Sequence, residues 1–360
     1  MNDKSKFNNR ASGSQKSWKE TFLSLYMSFD HEKYKKSLEL KRKNFPKKLY
    51  RYRPLTTKKH LKRVCDEIKT GTIYFSHRKD FNDPFDSAAL LQGTKPNFYN
   101  NDDYEDSLMK TCKGLLSDFL TFEEIQEAFS KDDWYEKTLH IVTQIIIQKH
   151  GTNKGTELMI KSDLNSMFME LLEDTASETL TKLNSLRIAC FTERFNNLPM
   201  WAHYANNHTG ICLEYDIEAI LNTHTIDHIL RYLYPVYYVE TLPDIIKDTL
   251  KQKDLLKNLR ESWAVSLVLH YPSIHKLIEW QYEKEWRLIM NIGFWRERLK
   301  IDDVFNYENG VAMIFTKPSK VFLGYNISES NKDVIINVAQ NSNVPIAKME
   351  ATYYGLTILE

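Results

Sequence analysis

The chain has 360 residues, a net formal charge of +1, and 42% hydrophobic residues. This length allows one large domain with an insertion or two domains, and the hydrophobic content is enough for a buried core. The balanced charge argues against a protein that binds nucleic acid without sequence preference, because such binding depends on a large excess of basic residues. The sequence contains no CxxC pair, secretion signal or long apolar run, which predicts a reduced cytoplasmic protein without a membrane helix.

The N-terminal part of the chain changes character twice. Residues 1–17 are polar and rich in Asn, Ser and Lys, so we predict that they are disordered. Residues 18–47 carry apolar side chains at helical spacing and predict one or two helices.

Residues 48–360 alternate β-rich segments with helical ones, which predicts a single α+β domain. The apolar pattern predicts helices over residues 57–69 and near 244–278. Strands are expected at residues 48–53, 72–76, 188–192, 210–215, 232–239, 286–292, 312–316, 320–323 and 356–358. Residues 104–186 contain no Pro and few Gly, and their apolar spacing predicts a helical insertion. The expected fold is therefore a mixed or antiparallel sheet of short strands that carries this insertion.

Four short segments, far apart in the sequence, combine charged side chains with aromatic ones. In the first segment, Arg51 and Arg53 alternate with Tyr50 and Tyr52. In a strand this alternation places both arginines on one face. Two arginines that face a site can hold a phosphate or pyrophosphate, whereas on an exposed face they would only cover aromatic side chains.

The second segment, residues 81–86, reads Phe-Asn-Asp-Pro-Phe-Asp. Asn82, Asp83 and Asp86 are candidates for the pocket, but Asn and Asp before Pro are also typical of a tight turn. Two aspartates supply fewer oxygen ligands than a hard cation requires, so we predict no metal here.

The third segment, residues 200–210, has aromatic side chains at helical spacing. Trp201 and Tyr204 would share one helix face, with His203 to one side, and together they could stack on a planar ring. His203 and His208 are five residues apart, which does not suit a zinc pair on a helix. The alternative is a packed helix with an aromatic stripe.

The fourth segment, residues 282–287, reads Tyr-Glu-Lys-Glu-Trp-Arg. In a strand, Glu283, Glu285 and Arg287 would share one face. Two carboxylates beside an arginine can divide the roles of acid or base and charge stabiliser. The alternative is a surface ladder of ion pairs.

Together these segments resemble the bacterial family known as domain of unknown function 2971. The resemblance rests on six motifs, at residues 50–53, 73–86, 190–193, 200–216, 282–287 and 321–324. It covers roughly residues 48–325 and implies no settled activity.

A second resemblance is to ADP-ribosyltransferases, through the order of three parts. These parts are Arg51 or Arg53, then His203 with Tyr204, then Glu283 and Glu285. The chain departs from the pattern at Trp201-Ala202-His203, where many of these enzymes have Ser-Thr-Ser.

This second resemblance implies NAD as a substrate and an ADP-ribosyltransferase-like fold. Glu285 would bond the nicotinamide ribose and stabilise the cation-like transition state, and Glu283 would position the acceptor. Trp201 or Tyr204 would stack on nicotinamide, and Arg287 would belong to the NAD site.

The function expected from the sequence is therefore a NAD-consuming ADP-ribosyltransferase or NAD glycohydrolase, acting as a toxin or phage-defence effector. Its acceptor, whether protein, nucleic acid or water, is not specified, and neither is any regulatory partner. One alternative is a metal-dependent nuclease that uses Asp83, Asp86, Glu193 and Glu285. Another is a non-catalytic module that senses a nucleotide.

Overall fold

The computed structural model describes residues 17–28, 30–86, 183–222, 231–243, 267, 269–292, 310–353 and 355–359. The disorder predicted for residues 1–17 and the insertion predicted for residues 104–186 lie almost entirely outside these ranges. The chain divides into two compact units, Met1–Phe45 and Pro46–Glu360.

The first unit contains two helices, α1 (Trp18–Tyr26) and α2 (His31–Lys43). Ser17 and Glu20 form a reciprocal capping box at the start of α1, and Asp30 caps α2 by accepting from Lys33 N. These side chains satisfy backbone N–H groups that have no partner within the helix. Phe22 and Tyr26 are fully buried and stack on one another.

The second unit is built on a mixed, mostly antiparallel sheet, which confirms the predicted α+β class. The strands of this unit are β1 (Lys48–Arg53), β2 (Thr72–His77), β3 (Leu186–Thr192), β4 (Ile211–Asp216), β5 (Leu233–Pro235), β6 (Tyr237–Val239), β7 (His275–Leu277), β8 (Glu285–Asn291), β9 (Val311–Ile314), β10 (Lys320–Leu323), β11 (Ile346–Thr352) and β12 (Gly355–Ile358). The main path of the sheet in the described residues runs β12-β11-β10-β4-β1-β3-β2-β9, and β8 pairs with both β3 and β5. The pairs β10–β11 and β6–β7 are parallel.

Four helices accompany these strands in the described part of the second unit. They are α3 (Lys58–Thr70), α4 (Leu198–Tyr204), α5 (Ile217–Leu221) and α6 (Glu329–Asn341). Thr57 caps α3, which ends at Gly71 in the left-handed conformation, where glycine is favoured. Within the described ranges, no helix is both long enough and apolar enough to span a membrane.

The two faces of β1 have different surroundings, as its alternating sequence predicts. Tyr52 packs edge-on against the buried ring of Trp201 from α4. On the opposite face, Arg51 reaches Glu67 of α3. The sheet therefore separates an aromatic layer under α4 from a charged layer under α3.

Several predicted elements differ from the structure. Residues 232–239 form two strands rather than one, because β5 pairs with β8 while β6 pairs with β7. Strand β7 lies where the sequence predicts helix, and α6 and β11 were not predicted. Residues 278–283 form a 3₁₀ helix, so the strand predicted over residues 282–287 begins only at Glu285.

Candidate functional site

The register of β3 and β8 places a group of polar side chains on one face of the sheet. Cys190 lies opposite Arg287, and Thr192 lies opposite Glu285. Directly opposed residues in antiparallel strands project to the same face. Tyr50 of β1 lies opposite Thr192, so this is the face that also carries the aromatic layer. The candidate site therefore begins at the junction of β1, β3 and β8.

Arg287 holds two carboxylates together in the interior. Its guanidinium donates two hydrogen bonds to Asp86, at 2.7 and 2.6 Å, and two to Glu285, both at 2.9 Å. A fifth bond goes to the carbonyl of Ser273 at 2.9 Å. The planar guanidinium group suits such paired contacts, which fix both carboxylates in place.

Lys276 of β7 is a second buried cation in the same group. Its Nζ lies 2.7 Å from Glu283, 3.5 Å from Glu285 and 3.6 Å from Asp86. It also lies 4.5 Å from the centre of the Trp280 ring. Only 3% of the Lys276 side chain is exposed, so its charge is neutralised by these carboxylates rather than by water.

The backbone around Glu283 is fixed by the segment that follows β3. The carbonyl oxygens of Tyr282, Glu283 and Lys284 accept hydrogen bonds from Asn197 Nδ2, Thr192 Oγ1 and Glu193 N respectively. Lys284 itself is left-handed, with φ 45° and ψ 52°. This conformation is uncommon for a residue other than glycine, and here it lets Glu283 and Glu285 both contact Lys276.

The two glutamates differ in ionisation because their surroundings differ. Burial, followed by the charge of Glu285, raises the pKa of Glu283 to about 7. Burial alone would also raise the pKa of Glu285, but Arg287 and then Lys276 hold it at about 2. The site therefore contains one carboxylate that stays ionised and one that exchanges a proton near neutral pH.

A cleft opens on this charged group. Tyr204 of α4 stands at its side and donates a hydrogen bond of 2.6 Å to Glu283 Oε1. The residues that line the cleft are Tyr52, Phe81, Asn82, Asp86, Cys190, Phe191, Thr192, Met200, Tyr204, Lys276, Glu283 and Glu285. A ligand in the cleft would therefore meet aromatic walls and a charged floor.

The sequence places Arg51 and Arg53 in one site with the glutamates, but in the structure the sheet separates both arginines from this cleft. Arg51 is buried on the other face, 3.0 Å from Glu67 and 3.1 Å from the carbonyl of Tyr74. Arg53 faces the same carboxylate at 3.5 Å. Both arginines thus neutralise a buried glutamate of α3.

Two predicted members of the third segment also lie away from the cleft. Trp201 is fully buried in the core and donates from Nε1 to the carbonyl of Phe195, so it cannot stack on a ligand. His203 is exposed, with its ring near those of Tyr204 and Tyr282. Tyr204 is the predicted ring-stacking residue that does line the cleft.

The last residues of the third segment, 206–210, form a turn. Asn206, Asn207 and His208 all have positive φ. A Cβ added at Gly210 would lie 2.2 Å from the carbonyl oxygen of Arg53, so only glycine fits there. The turn therefore anchors α4, and with it Tyr204, against the sheet.

Some residues of the second segment form a turn, and others line the cleft. Asp83 Oδ1 accepts from the backbone of Phe85, as expected of a turn-forming aspartate, and Asp83 does not line the cleft. Asn82 lines it, with Oδ1 3.5 Å from the Tyr204 hydroxyl. Asp86 lines it too, held by Arg287.

The carboxylates considered for a metal-dependent nuclease do not form one ligand set. Glu193 accepts a hydrogen bond from Trp286 Nε1. Trp286 and Glu285 are adjacent in β8, so their side chains project to opposite faces of that strand. Among the residues described by the structure, no group of three or more His, Cys, Asp or Glu side chains is arranged to hold a metal ion.

Sequence reasoning missed Lys276, which completes the charged group. Only Ile274 and Leu277 are apolar among its neighbours in Ser273-Ile274-His275-Lys276-Leu277, so no apolar run marks this lysine as buried. Cys190, which the sequence does not mark as a site residue, also lines the cleft beside Glu285.

Part of the chain matches the model of a known family. The family model described as a protein of unknown function, DUF2971, matches residues 200–288. This finding confirms the resemblance to that family, over a shorter stretch than the motifs span. The matched segment carries Tyr204, Lys276, Glu283, Glu285 and Arg287. No curated protein and no solved structure matched the chain.

Proposed function

We propose that the protein consumes NAD by breaking the bond between nicotinamide and ribose and transferring ADP-ribose to an acceptor hydroxyl or to water. The observation that carries the proposal is the pair of carboxylates in the cleft. Glu285 is held ionised by Arg287 and Lys276, and Glu283 exchanges its proton near neutral pH. Paired carboxylates with opposite ionisation are a common arrangement for cleavage of glycosidic bonds.

The charge changes of this reaction match the ionised state of Glu285 and the proton exchange of Glu283. When the bond from ribose C1′ to nitrogen breaks, nicotinamide leaves as a neutral molecule with the bonding electron pair. Positive charge then develops on the ribose, where a fixed anion such as Glu285 stabilises the transition state. The leaving group needs no proton, so this step requires no general acid.

The second half of the reaction requires a general base. The acceptor oxygen forms a bond to C1′ and loses its proton, which Glu283 in its ionised form accepts and then releases to solvent. Tyr204 and Lys276 hold the Glu283 carboxylate through its two oxygens, at 2.6 and 2.7 Å. Arg51 and Arg53 have no role in this proposal, because they lie across the sheet.

An assay of nicotinamide release from NAD tests this proposal. The purified protein is incubated at about pH 8, with and without cell extract as a source of acceptors. We expect Glu283→Gln to slow steady-state release by roughly 10²–10⁴-fold, because each turnover is completed only when the base lets the acceptor capture the ribose. We expect Glu285→Gln to slow it by about 10²–10³-fold, as for loss of a charge-stabilising group.

Glu279→Gln is the matched control. Glu279 is exposed and lies on the same 3₁₀ helix as Glu283, so this variant removes one negative charge without touching the cleft. It should release nicotinamide at the wild-type rate. Absence of release by the wild-type protein, with or without extract, would contradict the proposal.

A controlled toxin or phage-defence role is a further part of the proposal. Consumption of NAD harms any cell in which it is not restrained. Such a role would also require a partner or signal that restrains the activity in the host.

A further inference from the structure

A second group of charged side chains, the basic group, lies across the sheet from the cleft, between β1 and α3. His60, Arg63 and Glu67 are spaced at i, i+3 and i+7 along α3, so they share one face of this helix. That face packs against β1, because Glu67 lies 3.0 Å from Arg51 and 3.5 Å from Arg53. The basic group therefore contains three arginines, one histidine and one carboxylate.

Tyr74 of β2 fixes Arg63 within the basic group. The guanidinium carbon of Arg63 lies over the Tyr74 ring, 3.3 Å from its centre, and Arg51 Nη2 donates to the Tyr74 carbonyl at 3.1 Å. A guanidinium that stacks on an aromatic ring keeps its N–H groups available at its edge. Among the residues that the structure describes, none accepts a hydrogen bond from the Arg63 side chain or forms an ion pair with it.

Glu67 does not satisfy all three arginines. Its Oε1 accepts from Arg51 Nη1 at 3.0 Å and from the Tyr215 hydroxyl at 2.5 Å. Its Oε2 faces Arg53 Nε, but neither of these two buried atoms makes a hydrogen bond. Within the described ranges, the Arg53 guanidinium donates no hydrogen bond. Only 14% of the Arg53 side chain is exposed, and side chains so far from water normally have a hydrogen-bond partner.

The basic group carries an excess of positive charge. Its three arginines and one carboxylate give a net charge of +2 when the histidine is neutral. Further charges on α3, from Lys59, Lys62 and Asp66, add to this excess rather than cancel it. Positive charge that is partly removed from water favours the uptake of an anion.

The like charges of the basic group act on one another. Burial lowers the pKa of Arg53, and the charges of Arg51 and Arg63 lower it further, against the charge of Glu67. Burial also lowers the pKa of His60, followed by the charges of Arg53 and Arg63. An anion among these side chains would oppose the repulsion in both cases.

The basic group is open to solvent at one end. The exposed fraction of the side chain rises from 1% at Glu67 and 6% at Arg51 to 14% at Arg53, and His60 and Arg63 are half-buried. A threonine hydroxyl holds His60 Nδ1 at 2.9 Å, which leaves Nε2 for a ligand. An anion can therefore reach the outer three side chains from solvent, above the buried carboxylate.

We infer that Arg53, His60 and Arg63 bind a phosphate group on the face of the sheet opposite the cleft. A guanidinium group can donate two parallel N–H bonds to a phosphate, which makes arginine well suited to this ligand. At neutral pH a phosphate monoester carries a charge of about −1.5 to −2, which balances the excess of the basic group, whereas a carboxylate supplies only one negative charge. Arg51 is not a ligand, because Glu67 and the Tyr74 carbonyl already occupy it.

Titration calorimetry of the full-length protein at constant ionic strength tests this inference, with inorganic phosphate and ribose 5-phosphate as the probes. We expect at least one probe to bind with a Kd in the millimolar range or below. Arg63→Gln should raise that Kd by roughly 10–100-fold, as for loss of hydrogen bonds to a charged group. Lys62→Gln is the matched control, because it removes one positive charge from an exposed position of α3 outside the basic group. Its Kd should stay close to the wild-type value.

Arg53→Lys provides a second variant. It keeps the charge but loses the planar guanidinium, so it should also weaken binding. Thermal unfolding shows whether each variant folds, and Arg63→Gln, at a half-buried position, decides the matter if Arg53→Lys does not fold. Phosphate should raise the unfolding temperature of the wild type and of Glu283→Gln equally, because Glu283 lies across the sheet. The result does not depend on whether the protein consumes NAD.

The two probes distinguish the sources of the phosphate group. Tighter binding of ribose 5-phosphate would support a larger phosphorylated molecule as the ligand, and tighter binding of inorganic phosphate would support the free ion. The inference is overturned if neither probe binds in the millimolar range, or if Arg63→Gln binds as tightly as the wild type. It is also overturned if only an RNA oligonucleotide binds and both Arg63→Gln and Lys62→Gln weaken it equally, because α3 would then be an extended basic surface.

Discussion

Lys276 lies between Glu283, Glu285 and Asp86, and its single charge acts on all three carboxylates. Burial alone would lower the pKa of its ammonium group, but Glu285 and the other two carboxylates raise that pKa above its usual value. The ammonium group in turn favours the ionised form of Glu283, against burial and the charge of Glu285. Lys276 is therefore a positioning residue that also sets the proton affinity of the proposed base.

Replacing Lys276 by Met should raise the pKa of Glu283 above about 7, because the ionised carboxylate loses its nearest cation. A smaller fraction of Glu283 is then ionised at neutral pH. A reaction that needs this base therefore slows at neutral pH and recovers at higher pH. The titration is measured by ¹³C NMR of labelled glutamate, with Glu283→Gln identifying the signal.

The same variant should lose about 3–5 kcal/mol of unfolding free energy, because it leaves buried carboxylates short of one partner. Lys276→Arg keeps the charge and provides a second variant if Lys276→Met does not fold. It should leave the Glu283 pKa close to the wild-type value. A folded Lys276→Met protein with an unchanged Glu283 pKa would show that Lys276 only fills space.

At the scale of elements, β1 shows what can and what cannot be predicted from the sequence. The alternation of Tyr and Arg correctly predicts two arginines on one face and two tyrosines on the other. It does not tell which face meets the site, because that depends on the packing of α3 and α4. Glu67 lies on α3 and bonds Arg51, while Trp201 lies on α4 and packs on Tyr52.

The segment 282–287 shows a different limit of prediction from the sequence. Its residue types correctly indicate a group of two glutamates and an arginine, but the predicted alternation along one strand does not occur. The left-handed Lys284 separates a 3₁₀ helix from β8, and the carbonyls on either side of it are held by residues that follow β3. Contacts at such distances along the chain cannot be derived from local spacing.

The position of Arg51 leads to a prediction about stability rather than ligand binding. Arg51→Ala leaves Glu67 buried without its closest cation, so the unfolding free energy should fall by about 3–5 kcal/mol. Lys47→Ala, at the residue before the same strand, is the control. Both side chains of its ion pair with Glu218 are exposed, so loss of that pair should cost less than about 1 kcal/mol.

Denaturant unfolding of both variants measures these changes, and KM for NAD measures any role in binding. We expect Arg51→Ala to be less stable with an unchanged KM in the folded protein. A stable Arg51→Ala protein with a greatly raised KM would instead restore the sequence-based assignment of Arg51 to the NAD site.

At the scale of the whole molecule, the candidate site is assembled from distant parts of the chain. Asp86 follows β2, Tyr204 belongs to α4, Lys276 belongs to β7, and Glu285 begins β8. The sequence indicates most of these residues through dense clusters of charged and aromatic side chains. It could not indicate Lys276, because Asp86 is far from Lys276 in the sequence and Glu285 belongs to another motif. The α+β class was predictable because strand and helix periodicities are local properties.

The central claim is that Glu283 acts as a base of near-neutral pKa beside Glu285, whose pKa Arg287 and Lys276 hold well below its usual value. The most direct test is the pH dependence of nicotinamide release from NAD by the wild-type protein and by Glu283→Gln. The account predicts a wild-type rate that rises with pH and is half-maximal near pH 7, and a slow rate for the variant that does not change with pH. No nicotinamide release by the wild-type protein, or the same pH profile for both proteins, would contradict it.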